Sequence, residues 1–150
     1  MIDWSRRQSA ADRADARLAA EKAAVKRWLV RHLEDTARAV TGDIPGSETL
    51  SWTQKEAEAR AVLEADQAGT PPPVAPLLAG ECAETGETLG DLAARVAARA
   101  ELFRAVQAGL TGLRRSVEAR LDAARTPEDL HTIRADADAR AAEIVNLAGE

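Results

Sequence analysis

The sequence predicts an all-α protein, and three observations carry the prediction. Apolar residues recur at helical spacing, alanine dominates the hydrophobic composition, and neither glycine nor proline occurs before Gly42. The clearest pattern lies at residues 88–125. There Leu89, Leu92, Val96, Phe103, Val106, Leu110, Leu113, Val117 and Leu121 are the large apolar positions. From Phe103 the spacings run 3, 4, 3, 4 and 4, which lays one stripe along a helix and fits no strand. Such a stripe needs covering, either by other helices of this chain or by other copies of it. The expected architecture is a long N-terminal helix, a Pro-rich linker and a C-terminal antiparallel helical hairpin, with coiled-coil-like packing. The segments are 1–50, 51–87 and 88–150.

Residues 5–41 read as one helix, with Asp3 or Ser5 as cap. Its apolar side is weak at Ala11, Ala14 and Leu18 and stronger at Val25, Trp28, Leu29, Leu33 and Val40. The helix should be solvated at its start and packed toward its end. Gly42 suits the left-handed residue that closes a helix, and Pro45 forbids continuation. A second helix is expected from Ser51, where Ser51-Trp-Thr-Gln54 has capping-box spacing, to about Ala65. Glu56 and Arg60 sit one turn apart on it.

Residues 67–87 form a connector headed by Thr70-Pro-Pro-Pro-Val-Ala-Pro76. Consecutive prolines favour an extended polyproline path, read here as a stiff spacer because no arginine flanks the PxxP pattern. A short helix through Leu77 and Leu78 would end at Gly80 or Gly86. Thr88 and Asp91 cap the central helix, with Arg95 one turn on. Gly109 and Gly112 either break this helix or give it a small-residue face, and the unbroken stripe favours continuity. Thr126-Pro-Glu-Asp129 supplies a cap, a proline at the first helical position and acids in the first turn. The last helix then carries Leu130, Ile133, Ala137, Ile144 and Ala148 on one side. No internal repeat is visible.

Hydrophobic residues make up 45% of the chain, but with one Phe, one Met, no Tyr and three Trp the figure is mostly alanine. Alanine forms helix well and buries little area, so an isolated monomer would have a thin core. That favours a homo-oligomer. The net charge of −5 divides into +3 over residues 1–40 and −8 over the rest, which suits head-to-tail contacts or simply solvated helix faces. Cys82 is the only cysteine, so it forms no internal disulfide. No run of about 18 apolar residues is present to span a membrane. The expected setting is a reducing cytoplasm, without membrane attachment.

Catalytic chemistry is not legible. His32 and His131 lack a second ligand one turn away, although Asp35 and Glu128 lie three residues from them; a metal needs more donors. Pairs such as Glu56/Glu58 and Asp136/Asp138 diverge on a helix. Cys82 has no neighbouring base, and 86–90 lacks the lysine of a phosphate loop. No enzyme activity, cofactor or metal is expected. Trp28 reads as core, and Trp4 and Trp52 as helix staples or partner anchors. Arg6, Arg7, Arg13 and Arg17 make a basic patch diluted by acids, so nucleic-acid binding is disfavoured. The alternative to a structural protein is a bacterial coiled-coil adaptor or regulator using that arm on DNA. The expected interaction residues are Trp4, Leu18, Val25, Trp28, Leu29, Leu33, Trp52, Phe103, Val106, Leu110, Leu113 and Val117.

Three stretches carry a family resemblance. They are Ser51-Trp-Thr-Gln-Lys-Glu-Ala-Glu-Ala-Arg with Thr70-Pro-Pro-Pro…Pro76-Leu-Leu, then Leu92-Ala-Ala-Arg-Val-Ala-Ala-Arg-Ala-Glu-Leu-Phe-Arg-Ala, then Leu113-Arg-Arg…Leu121-Asp-Ala-Ala-Arg-Thr-Pro-Glu-Asp-Leu. Together they resemble an uncharacterised domain family of small bacteriophage proteins associated with tail fibres or their assembly, over residues 51–130. The resemblance implies a non-enzymatic component of a phage tail. Its partners would be other tail proteins of the fibre or baseplate. It would be assembled in the host bacterial cytoplasm into the virion tail. No catalytic residues come with it.

Overall fold

Several helix ends fall where a particular residue satisfies backbone groups that the helix leaves unpaired. The computed structural model of the protein describes residues 9–149, with side chains through residue 147. Among these, five helices and no strand occur: α1 Ala10–Thr41, α2 Gly46–Ala68, α3 Pro76–Thr85, α4 Leu89–Ala123 and α5 Pro127–Gly149. The protein is all-α. Asp3, Trp4, Ser5, Arg6, Arg7 and the side chain of Ala148 lie outside the described residues.

α1 starts later than residue 5, because Ser9 and Asp12 form a reciprocal cap. The Asp12 amide donates to Ser9 Oγ at 3.0 Å, and the Ser9 amide donates to Asp12 Oδ2 at 2.9 Å. The helix closes at Gly42, whose φ of 77° is the left-handed conformation a side chain would oppose. α2 corrects the expected start at Ser51. Pro45, with φ preset at −55°, stands at the N-cap, and the helix runs from the next residue. Ser51 lies inside it, donating its hydroxyl to the Glu48 carbonyl at 2.8 Å.

α3 ends at Gly86, and Gly80 is one of its helical residues. At the head of α4 the Asp91 amide donates to Thr88 Oγ1 at 3.1 Å, the expected cap. Arg95 reaches back to Glu87 instead of pairing with Asp91. α4 continues through Gly109 and Gly112. The Asp129 amide donates to Thr126 Oγ1 at 3.1 Å, while Arg125 and Thr126 amides donate to Asp129 Oδ2 at 2.8 and 2.9 Å. Thr126-Pro-Glu-Asp129 is thus a complete capping box.

The helices pack as two units that do not follow the order of the chain. One takes α1 as far as Ala39 together with the residues from Val106 onward; the other is Val40–Ala105. The segments 1–50 and 88–150 each contribute to both.

In the first unit, three lengths of helix share a core of Leu29, Val106, Leu110, Val117, Leu121, Leu130, Ile133 and Ile144, each no more than 8% exposed. On α5 the buried positions Leu130, Ile133, Ala137, Ala141 and Ile144 repeat at helical spacing and form one face. Contacts fix the directions. Gly109 faces Ile144, and Arg120 pairs with Asp136 at 2.6 Å, so α4 and α5 run antiparallel here. Trp28 meets Arg134 and His32 meets Asp138, so α1 and α5 run parallel. Lys26 holds Asp122 at 2.8 Å, and Lys22 donates to the Asp122 carbonyl at 3.2 Å. These cations sit at the negative C-terminal end of α4, where the helix dipole favours them. The first turns of α1 are exposed and burial begins at Leu18.

In the second unit, Ala59, Val62, Ala75, Leu78, Leu92 and Ala93 are buried, with Leu63, Cys82, Leu89 and Val96 packed against them. The proline stretch joins two helices that pack on each other, α2 and α3. Gly69 turns the chain out of α2, and Pro71, Pro72, Pro73 and Val74 are exposed before Ala75 dives into the core.

Two glycines in α4 separate space from propensity. A Cβ on Gly109 would stand 2.8 Å from Ile144 Cγ2, whereas one on Gly112 would meet nothing within 4 Å. The Ile144 methyl sits on a β-branched carbon whose rotamer a helix restricts, so it has little room to yield. Gly112→Ala should therefore raise stability by up to about 1 kcal/mol through helix propensity. Gly109→Ala should lower it, and combining it with Ile144→Ala should remove that clash. Urea denaturation of these three variants, with Ile144→Ala alone as reference, would check this; equal gains at both glycines would refute the close approach.

Asp129 supplies an acid-dependent test. The Arg125 and Thr126 amides hold its carboxyl below the ordinary value of 3.8. A lowered carboxylate contributes stability above its unfolded value and loses it as pH falls through the folded one. Asp129→Asn should be less stable at neutral pH, and its deficit should vanish in strong acid. Denaturation midpoints across that range would show an unchanging deficit if the amide bonds did not matter.

Candidate functional site

The sequence-derived interaction residues divide sharply once placed. Leu29, Leu33, Val106, Leu110 and Val117 are core residues of the first unit. Leu18, Val25 and Leu113 are half-buried in the same unit. The partners that cover the stripe in this part of α4 are helices of the same chain. Trp28 is half-buried, stacked on His32 with ring centroids 4.8 Å apart, and the Arg134 guanidinium lies 4.6 Å from its ring. His32 Nε2 is 3.2 Å from Asp138 Oδ1, but off the direction of a hydrogen bond, so this nitrogen has contact without a bond. Asp35 pairs with Arg38 at 3.5 Å. His131 is exposed.

Trp52 and Phe103 come together in the second unit, edge to face with centroids 5.5 Å apart. They belong to a cavity of about 510 Å³, within the size range of small-ligand sites. Trp52, Phe103, Leu92, Val96 and Ile44 supply apolar lining. The helical spacing of Leu92, Val96 and Phe103 aims that part of α4 at α2, which brings Trp52 opposite.

Charges ring the cavity: Lys55, Arg95, Arg99 and Arg104 against Glu48, Glu56 and Glu81. Most are already paired. Lys55 holds Glu81, Arg95 holds Glu87, and Glu56 accepts from both Arg104 and Arg60, the last at 2.9 Å. Arg60 also reaches Glu101 at 3.5 Å. Hydrogen bonding to Arg95 holds the Glu87 carboxyl below its ordinary value and raises the Arg95 guanidinium. Glu48 lies in the first turn of α2, where the helix's positive end complements it. Among the described residues Arg99 has no ion-pair partner.

The site reading from sequence passed over Glu58. Its carboxylate is buried and accepts from the Leu77 and Leu78 amides at 2.9 and 3.2 Å. Gln54 donates to its other oxygen at 3.4 Å. Ala75 at the N-cap of α3 has no side-chain acceptor, so the first free amides of that helix need one from elsewhere. A helix opened by Pro76 with alanine before it was the available signal. The role is structural: Glu58 ties α3 to α2.

Among the described residues no group of three or more His, Cys, Asp or Glu is placed to hold a metal ion. No helix there is long and apolar enough to cross a membrane. Compared with known protein families, curated proteins and solved structures, the chain has no significant match.

Glu58→Ala should strand the buried Leu78 amide and the part-buried Leu77 amide and cost about 1–3 kcal/mol. Glu58→Gln, which keeps one acceptor oxygen, should cost less. Urea denaturation would rank them; a neutral Glu58→Ala would show that water serves the α3 amides equally well.

Proposed function

We propose that the protein is a non-enzymatic interaction component of a bacteriophage or phage-like tail, joining fibre or baseplate parts or assisting their assembly. What supports the reading is the likeness to tail-fibre-associated proteins read above from the sequence of residues 51–130. The all-helical build is compatible with work done by side-chain faces. The buried stripe redirects where those faces lie. Leu50 at 88% exposure and Val74 at 93% are large apolar side chains left in water by the second unit, and Leu147 at 59% is another in the first. Partner contacts then fall on such positions and on the cavity, with Leu29, Val106 and Leu110 serving the chain's own core. Association of copies belongs to the same proposal, since alanine-rich cores gain most from added apolar area.

The test is genetic and structural together. Deleting the gene from a phage or prophage that carries it should give particles with missing or detached fibres by electron microscopy, restored by supplying the protein. Normal particles of full infectivity would overturn the proposal. Light scattering across a concentration range should show a dimer or larger species; a monomer throughout would remove self-association and leave a partner of different sequence.

A further inference from the structure

The geometry points to the cavity of the second unit as a binding site for an apolar group carrying one carboxylate, with Arg99 receiving the charge and Trp52 and Phe103 the apolar body. This goes beyond the tail reading and does not depend on it.

The argument starts from the charges. Around the cavity, cations and anions neutralise one another in the pairs described above, so Lys55, Arg95 and Arg104 are already engaged. Glu48 is left without a side-chain partner among the described residues but sits at the positive end of α2. Among the described residues Arg99 has neither an ion-pair partner nor a helix terminus to complement it. It stands on the same face of α4 as Arg95, one turn away, and both line the cavity. A planar guanidinium with its donors unspent matches a carboxylate in two-point geometry.

The walls then select the rest of the ligand. Trp52 and Phe103 meet edge to face and are only half-buried, so aromatic surface remains to be covered. Leu92 and Val96 continue that apolar lining along α4. A volume of about 510 Å³ exceeds what one side chain occupies and suits a small aromatic or branched acid. The same chemistry is offered by a free acid and by the C-terminal residue of a polypeptide.

The test uses the full chain labelled with ¹⁵N, following the Trp52 indole resonance, assigned by its loss in Trp52→Phe. Four probes are titrated: 3-phenylpropionate, 3-phenylpropionamide, the tripeptide Gly-Gly-Phe with a free carboxyl, and its C-terminal amide. At least one acid should shift the Trp52 resonance, with its amide binding at least about tenfold more weakly. Arg99→Gln should abolish that preference for the acid, and Arg99→Lys should keep part of it. Tighter binding of the tripeptide assigns the source to a polypeptide terminus, and tighter binding of phenylpropionate to a free acid; either supports the site. No shift with either acid, or amides binding as well as acids, would overturn it on the unaltered chain. Retention of the preference in a folded Arg99→Gln variant would overturn the role of Arg99.

Discussion

The constraint on which this structure turns is the shortage of large side chains. With alanine supplying most of the hydrophobic composition, a helix pair buries useful area only by bringing its axes close. That is what α4 and α5 do at Gly109, where Ile144 occupies the space a Cβ would take. Ala137 and Ala141, both 1% exposed, continue the contact along α5. Close packing of small residues brings backbone and branched methyls into register, and such an interface is sensitive to single atoms. In the second unit the same shortage is met by Ala59, Ala75 and Ala93 around Leu78 and Leu92.

Charge takes a supporting part. The pairs on both units are mostly exposed, and exposed ion pairs contribute little stability each. Their value lies in direction: Lys26 with Asp122, Arg120 with Asp136 and Glu58 with the α3 amides each fix where two helices meet. Glu58 differs from the rest in being buried, and a buried carboxylate needs its amide donors to be tolerated at all. The polar bonds therefore choose among the packings that the alanine faces would permit.

Much of the fold was legible. Thr88 with Asp91 and Thr126 with Asp129 are local signals, and local signals depend on nearby atoms only. The helix through Gly109 and Gly112 was legible for another reason, since an unbroken apolar stripe outweighs two weak helix formers. The start of α2 was misread because Ser51 offered capping spacing while Pro45, read only as a terminator, also presets the first turn. What covers the α4 stripe was not legible, because periodicity identifies a face and says nothing of its partner. The cavity was hidden likewise. Trp52 and Phe103 are 51 positions apart, and no spacing rule links an aromatic on one helix to an aromatic on another. Glu58 fell between these cases: the unmet need at Ala75 was visible in sequence, but the residue that meets it was not.

The first unit is assembled from the two flanks of the chain, with Val40–Ala105 lying between them in sequence. On a ribosome this imposes an order of events. Val40–Ala105 has every residue it needs before the second half of α4 has been made, whereas Trp28 and His32 wait for partners as distant as Arg134 and Asp138. Until those emerge, α1 lacks the helix that meets it in the finished unit. Joining α1 to α5 then closes a very long loop, whose entropy grows only slowly with length and is lower once the intervening residues have already condensed. Completion of the first unit thus has to await α5.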